Sequence, residues 1–381
     1  MKKILFFINE DWFFWTHRLS LARYLKNEGF EIHLATRTHK LAQQIEDEGF
    51  ILHTVNLDRK NRNPFIELYQ IVNLFFLFKK INPDILHNTT LKHVIYGTFI
   101  ARLAGIKNIV NGIPGLGSLY SENNFRSRMT RKIVSGLYRF VFGLQKRSTF
   151  IIFENHDDRS LFVNLKILLH EQAIVILGMG CDIGKFKVTP ETNKIPAVMM
   201  AGRLLKNKGV YYLVKAIQNL NTEGISCKLV LVGEPDLDNK LSLTREELEM
   251  LNNDPMIDWL GRQENMPELM AQASIIALPT YYGEGLPKVL IEGAASGRPL
   301  VTTDIPGCRE IVIPNVNGFL VPTHDIEALT QALKTLILDE NLRKQMGLQG
   351  RKLVEEGFTD YIVNRATLAV YSQFSFQNTT H

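Results

Sequence analysis

The sequence predicts an α/β protein of two doubly wound domains, and three observations carry that expectation. The chain has 381 residues, too many for one ordinary domain and enough for two of common size. Short β-branched and apolar runs alternate with helical patterns throughout, as they do in βαβ units around a parallel sheet. The pattern then restarts after a stretch rich in glycine, proline and polar residues, "LGMGCDIGKFKVTPETNKIP", near residues 178–196.

The first half offers strands at "KILFFI", "EIHLAT", "ILHTV", "DILHN", "NIVN", "TFIIF" and "AIVIL". Its opening, "MKKILFFINEDWFF", imitates a leader only until Asn9, Glu10 and Asp11 interrupt the apolar run, so a first strand is the better reading. A helix is expected over Thr16–Asn27, ended by Gly29. The run "IVNLFFLF", Ile71 to Phe78, suits a core helix or one lying in a membrane surface. Closed by Lys79 and Lys80, it is too short to cross a bilayer. The second half restarts with strands at "AVMMAG", "KLVLVG", "IDWLG", "SIIALP" and "PLVTT". Helices are expected between them at Gly209–Leu220, Arg245–Asn252, Met266–Gln272 and Pro287–Ser296. The expected domains are 1–185 and 186–359, with a C-terminal helix at about 360–381 packing back on the first.

Composition narrows the function classes. An apolar share of 45% and a charged share of 22% describe a soluble globular chain with substantial cores. The three cysteines, Cys181, Cys227 and Cys308, are far apart and form no CxxC or Cys/His cluster. They argue for a reducing compartment and against structural zinc. Charge is uneven. Residues 1–190 carry 26 Lys and Arg against 16 Asp and Glu, a net +10, and the remainder carries a net −5. The first half is therefore suited to meet something anionic.

In doubly wound sheets, ligands bind outside the carboxyl ends of the strands where the order reverses. Two motifs fall at such ends. "AGRLLKNKG" puts Arg203 and Lys208 in a loop between Gly202 and Gly209, ahead of a helix. Fixed cations, close backbone approach and a helix N-terminus are what a diphosphate needs. "YYGEGLPKVLIEGAASGRP" places Glu284 before a Gly285-Leu286-Pro287 turn that opens a helix, with Glu292 further in on its inner face. Proline suits that first turn, and the amides around it can meet phosphate or sugar oxygens.

Other features carry less. "NGIPGLGSLY" sets Gly112, Gly115 and Gly117 in a loop after a strand, spaced unlike the dinucleotide fingerprint. His87 ends a strand and His93 opens a helix; each suits either an acceptor or a core. Asp236-Leu237-Asp238 in "EPDLDN" imitates a metal-binding DxD but sits among turn formers, and reads as a turn. The stretch Asn123 to Ser148 sets Phe125, Met129, Ile133, Leu137 and Tyr138 at helical spacing among Arg126, Arg128, Arg131, Lys132, Arg139, Lys146 and Arg147. It reads as a basic amphipathic helix, suited to an anionic membrane surface or to a core with a solvated face.

With these motifs in order, joined by "NEDWFFWTHRLSLARYL", "HNTTLKHVIYGTFIARLAG" and "NGFLVPTHDIEAL", essentially the whole chain resembles retaining GT-B glycosyltransferases of family 4 (group 1). Within that family it is most similar to bacterial enzymes that extend sugars on undecaprenyl diphosphate for O-antigen, capsule or protein glycosylation. The resemblance implies two Rossmann-like domains, a UDP-sugar donor, a polyprenyl-diphosphate-linked saccharide as acceptor, and no metal or other cofactor. It implies a peripheral enzyme on the cytoplasmic face of the inner membrane, meeting the anionic surface through its basic N-terminal half and no nucleic acid. Arg203 and Lys208 would neutralise the diphosphate, Glu284 would bind donor-sugar hydroxyls, and Glu292 would hold the ribose. Arg262 and Gln263 would border the nucleobase, Gly202, Gly285, Leu286 and Pro287 would lie against the donor, and Gly115 and Gly117 would face it. His17, Arg18 and Lys92 would serve the acceptor side. Many relatives carry a donor-contacting histidine near the glycine loop, and this segment has none. Parts of the pattern also fit a sugar-nucleotide epimerase, a glycogen-type phosphorylase or a non-enzymatic membrane or nucleic-acid binder.

Overall fold

A computed structural model of the chain describes residues 1–55, 64–117, 125–143, 148–236 and 239–377. Contacts divide it into two units, Met1–Met179 with the chain from Asp360 onward, and Gly180–Thr359.

The first unit holds a seven-stranded parallel sheet: β1 (Lys3–Glu10), β2 (Glu31–Arg37), β3 (Ile51–Thr54), β4 (Ile85–Thr89), β5 (Asn108–Ile113), β6 (Thr149–Phe153) and β7 (Ala173–Val175), in the order β3-β2-β1-β4-β5-β6-β7. The order reverses between β1 and β4. Its helices are α1 (Asp11–His17), α2 (Leu19–Asn27), α3 (Ala42–Asp47), α4 (Pro64–Ile81), α5 (Leu91–Leu103), α6 (Phe125–Gly143), α7 (His156–Asn164) and, from the chain's end, α15 (Asp360–Gln377). Both faces of the sheet are covered, so its strands read as near-continuous apolar runs. Ile4, Phe6 and Ile8 of β1 pack with α1, α2 and α15 through Phe14, Leu21, Leu25, Val370 and Phe374. Leu5 and Phe7 pack on the opposite face with Leu74 and Phe78 of α4 and Ile100 of α5.

One expected helix divides. Over Thr16–Asn27 the chain is not a single helix, because Arg18 leaves helical geometry (φ −130°, ψ −6°) between α1 and α2. Its buried guanidinium turns inward to lie 3.7 Å from Glu154. An arginine required at the strand ends thus breaks a helix that local propensity alone would continue.

The second unit holds a six-stranded parallel sheet: β8 (Ala197–Ala201), β9 (Lys228–Val232), β10 (Ile257–Trp259), β11 (Ile275–Leu278), β12 (Leu300–Thr303) and β13 (Gly318–Val321), in the order β10-β9-β8-β11-β12-β13. Its helices are α8 (Val210–Thr222), α9 (Arg245–Asn252), α10 (Met266–Gln272), α11 (Lys288–Ala295), α12 (Cys308–Ile311), α13 (Ile326–Leu338) and α14 (Glu340–Gly357). The order reverses between β8 and β11. β13 is a strand the sequence reading did not anticipate. Its "GFLV" is short, and Gly318 lies so close to β12 that an added Cβ would meet the Leu300 oxygen at 2.0 Å.

Candidate active site

In the second unit the strand order brings together residues that are distant in sequence. β8 and β11 are neighbours at the reversal, so the loops leaving their carboxyl ends meet. After β8, a 3-10 turn at Lys206–Lys208 ends in Gly209 and leads into α8. After β11, Thr280 to Glu284 folds back on it: the Tyr281 amide donates to the Asn207 oxygen (2.9 Å), and the Tyr282 amide to Thr280 Oγ1 (3.1 Å). The result is that Lys208 Nζ stands 3.0 Å from Glu284 Oε1, both side chains mostly buried.

The other expected donor residues of this unit follow the carboxyl ends of β8, β10 and β11 in the same sheet. Arg203 keeps about 40% of its side chain exposed and makes a long contact (3.4 Å) with Asp236. Asp236 is the described part of the DxD-like stretch; Leu237 and Asp238 lie outside the described residues. Gly285, Leu286 and Pro287 are buried. Pro287 is the N-cap of α11 (φ −65°, ψ 118°), one place ahead of the expected first helical position, and among the described residues no side chain caps that helix. Glu292 is buried at 8% exposure, with Lys288 Nζ 3.2 Å away. Arg262 is exposed on the loop after β10, and Gln263 Nε2 donates to the Leu260 oxygen (2.6 Å).

Sequence reasoning missed several residues that shape this site. Gly233 follows β9 at φ +142°, where an added Cβ would lie 1.9 Å from the Gly202 oxygen. The two loops can touch only as bare backbone. Gly307, in "DIPGCRE", supports the turn before α11: at φ +83°, an added Cβ would fall 1.6 Å from the Gly285 oxygen. The available signal was a glycine immediately after β8 and β9, at Gly202 and Gly233, and one residue further on after β10, at Gly261. Cys308 lies behind the pair, buried, with its thiol pushed up to about 12 by burial, and is no nucleophile. Among the described residues no three His, Cys, Asp or Glu side chains gather as metal ligands.

The first unit presents a second polar cluster at its own reversal. Arg18, Asn9 at the end of β1, His87 and Thr89 on β4 and Glu154 after β6 are all buried. The Arg18 Nη2 and His87 Nε2 atoms each lie 3.3 Å from where a Cβ on Gly112 would stand. His87 Nδ1 hydrogen-bonds the Tyr371 hydroxyl of α15 (2.5 Å). Burial, reinforced by Arg18, holds the His87 imidazole well below its ordinary pKa and therefore neutral. Both polar atoms of the Asn9 amide, Arg18 Nε, His87 Nε2 and Thr89 Oγ1 have no hydrogen-bond partner among the described residues. Thr90 adds local strain: φ +80°, ψ 152° is a region β-branched residues rarely enter.

The remaining expected acceptor residues sit apart from that cluster's ion pair. His17 stacks on Phe13 (4.3 Å, 1°) beside the Thr16 hydroxyl. Lys92 Nζ lies 2.8 Å from Glu67 and over the Tyr96 ring, linking α5 to α4. Gly115 (φ +129°) and Gly117 (φ +62°) form the described end of the glycine loop; Ser118 to Tyr120 lie outside the described residues. So do Lys146 and Arg147 of the basic stretch and the side chains of Phe125 and Arg126.

Two parallel-sheet α/β units of seven and six strands match the GT-B fold of glycosyltransferases. The profile described as "Glycosyl transferases group 1" matches residues 184–353, and that described as "Glycosyl transferase 4-like" matches residues 3–154. The chain belongs to the group 1 glycosyltransferases. It is 26% identical over 339 residues to the N,N'-diacetylbacillosaminyl-diphospho-undecaprenol alpha-1,3-N-acetylgalactosaminyltransferase of Campylobacter jejuni, covering 86% of this chain and 87% of that one. It is 25% identical to the UDP-Gal:alpha-D-GlcNAc-diphosphoundecaprenol alpha-1,3-galactosyltransferase of Escherichia coli, covering 90% and 89%. In fold it is similar to Anabaena HepE, solved with UDP-glucose, at a TM-score of 0.79 and 17% identity over 98% of this chain and 100% of that one. A glycosyltransferase of Rickettsia africae gives 0.78 at 19% identity over 98% of each chain.

Proposed function

We propose that this glycosyltransferase moves a hexose or N-acetylhexosamine from a UDP-sugar to a polyprenyl-diphosphate-linked saccharide, with retention and without a metal, in the assembly of an O-antigen, a capsule or a glycoprotein glycan. The Lys208–Glu284 contact at the β8/β11 reversal carries the reading: it joins a cation fit for a leaving diphosphate to a carboxylate fit for sugar hydroxyls. The names of the relatives in Campylobacter jejuni and Escherichia coli support a lipid-diphosphate acceptor, and the UDP-glucose held by HepE supports the donor class.

In this reading the bond from the anomeric carbon to the UDP oxygen breaks with its electron pair passing to the diphosphate. Lys208 and Arg203 oppose that growing charge, which makes them more favourable in the transition state than in the ground state. Glu284 orients the donor sugar, Glu292 holds the ribose, and Arg262 and Gln263 border the base. Gly202 and the Gly285–Pro287 turn bring bare backbone to the donor. The acceptor hydroxyl attacks the same face from which UDP departs, and its proton passes to a leaving phosphate oxygen.

The acceptor side is the first unit's polar cluster. Buried polar atoms without partners cost about 1–3 kcal/mol each, so Asn9, Arg18 and His87 together suit a polar ligand such as a sugar or phosphate. His17 and Lys92 border that edge. The enzyme acts at the cytoplasmic face of the inner membrane. Its test is UDP release across a panel of UDP-sugars with and without an undecaprenyl-diphosphate-linked saccharide. Lipid-dependent release from one donor is expected. Equal release without lipid would indicate an epimerase or hydrolase.

A further inference from the structure

We infer that α4 and α6 together form a bilayer-docking face on the first unit, fitted to an anionic lipid surface. The inference rests on the peripheral-membrane reading above and extends it by naming the face. The observation behind it is exposure. On α4, Leu68, Tyr69, Val72 and Phe76 are 59%, 67%, 42% and 63% exposed. On α6, Met129, Ile133, Leu137 and Phe140 are between 45% and 59% exposed. The spacings Tyr69–Val72–Phe76 and Ile133–Leu137–Phe140 make an outward apolar stripe on each helix. Clusters of this kind on a soluble surface mark an interaction site.

The two stripes belong to one layer. α4 and α6 both pack against α5, which shows no exposed side chain between Leu91 and Ile100. Each helix follows a parallel strand and so starts at the carboxyl edge of the sheet, as the Lys92–Glu67 contact between the first turns of α5 and α4 requires. The apolar face therefore begins at the edge that carries Asn9 and Arg18. A lipid acceptor anchored in a bilayer against this face would bring its head group to that edge.

Charge decides the occupant. α6 contains no acidic residue, and Arg128, Lys132 and Arg139 are exposed among its apolar side chains. α4 contains one, Glu67, which is paired with Lys92 and Tyr96, and it ends in exposed Lys79 and Lys80. A groove of about 550 Å³ between α6 and α7, lined by Arg131, Lys132, Ser135 and Arg139 with Leu161 and Leu165, adds a cationic shoulder beside the α6 stripe. Apolar stripes bordered by an excess of exposed cations match an anionic bilayer and disfavour a cationic partner.

The test is flotation of the full chain with phosphatidylcholine vesicles, with and without phosphatidylglycerol. Anionic vesicles should bind about tenfold more strongly, and salt should weaken that binding. The double variants Tyr69→Glu/Phe76→Glu and Ile133→Glu/Phe140→Glu should each lower bound protein about tenfold while circular dichroism and UDP binding stay unchanged. Equal binding to both vesicle types, or binding unchanged in both variants, would overturn the inference. A lipid-free dimer that both variants dissociate would overturn it too, by assigning the face to a second copy. UDP binding reports the donor reading separately, so failure of either idea is visible on its own.

Discussion

Lys208 and Glu284 meet at 3.0 Å with about an eighth of each side chain exposed, so each fixes the position of the other before any donor arrives. Preorganisation of this kind makes a cation effective against developing charge. Lys208→Ala should therefore lower turnover per folded molecule on the order of 10²–10³, and it should also lower the melting temperature, because the mostly buried Glu284 loses this cation. A steady-state assay of UDP release beside a thermal melt checks it, and loss below tenfold would remove Lys208 from the mechanism. His87 makes a prediction of the opposite kind, about stability. Neutral in the fold, it gains a proton on unfolding below its ordinary pKa, so the unfolded state binds more protons there. Stability is full above about pH 6.5 and falls as pH drops below it, by up to about 1.4 kcal/mol per pH unit. Asp158 works against this, because burial raises its carboxyl to about 6 and the fold keeps that proton below pH 6. The comparison of wild type with His87→Gln isolates the histidine. Urea unfolding at about pH 7.5 and about pH 5.5 should show a smaller pH effect in the variant. At this scale the sequence was informative about residues that announce themselves, such as charged side chains flanked by glycine at strand ends. It was silent on the pairing of His87 with Tyr371 and of Arg203 with Asp236, because those groupings are made by the fold and not by neighbours in sequence.

Element α11 shows how close packing places a site. Gly293 rests on β11, where an added Cβ would come within 2.6 Å of Ile276 Cγ1. Gly293→Ala should cost about 1–3 kcal/mol, as overpacking does, and urea unfolding would read it as a lower midpoint. Gly307 differs, because the atom in the way is the Gly285 backbone oxygen at 1.6 Å and its φ is +83°. Gly307→Ala must displace the turn ahead of Glu292, so activity should fall at least tenfold where Gly293→Ala loses mainly stability. Comparing turnover per folded molecule in the two variants separates these effects. The strands of both sheets were legible because burial on both faces writes them as apolar runs. The break at Arg18 was not, since its cause is an ion pair with Glu154, more than a hundred residues away. β13 escaped for a related reason: its four residues acquire strand character by pairing with β12.

On the scale of the whole molecule, three arginines fasten the segment by which the chain enters the second unit. Arg343 of α14 holds Glu191 at 2.8 Å and donates to the Leu336 and Ile337 oxygens (2.7 and 3.0 Å). Arg351 donates to the oxygens of Phe186 (2.6 Å) and Ala295 (2.8 Å), and Arg298 donates to Thr189 Oγ1 (3.1 Å). These bonds tie residues 186–191 to α11 and α14, so the segment belongs mechanically to the second unit. Arg343→Met would leave the nearly buried Glu191 carboxylate and two carbonyl oxygens without their cation. Removing one partner of a buried pair costs about 3–5 kcal/mol. The cysteines supply a readout specific to this unit: Cys181, Cys227 and Cys308 are all buried, and all lie within Gly180–Thr359. Thiol labelling in urea therefore follows the unfolding of the second unit alone, and Arg343→Met should shift its midpoint well below that of wild type. Equal midpoints would mean that the segment is held by packing and that the arginine network contributes little.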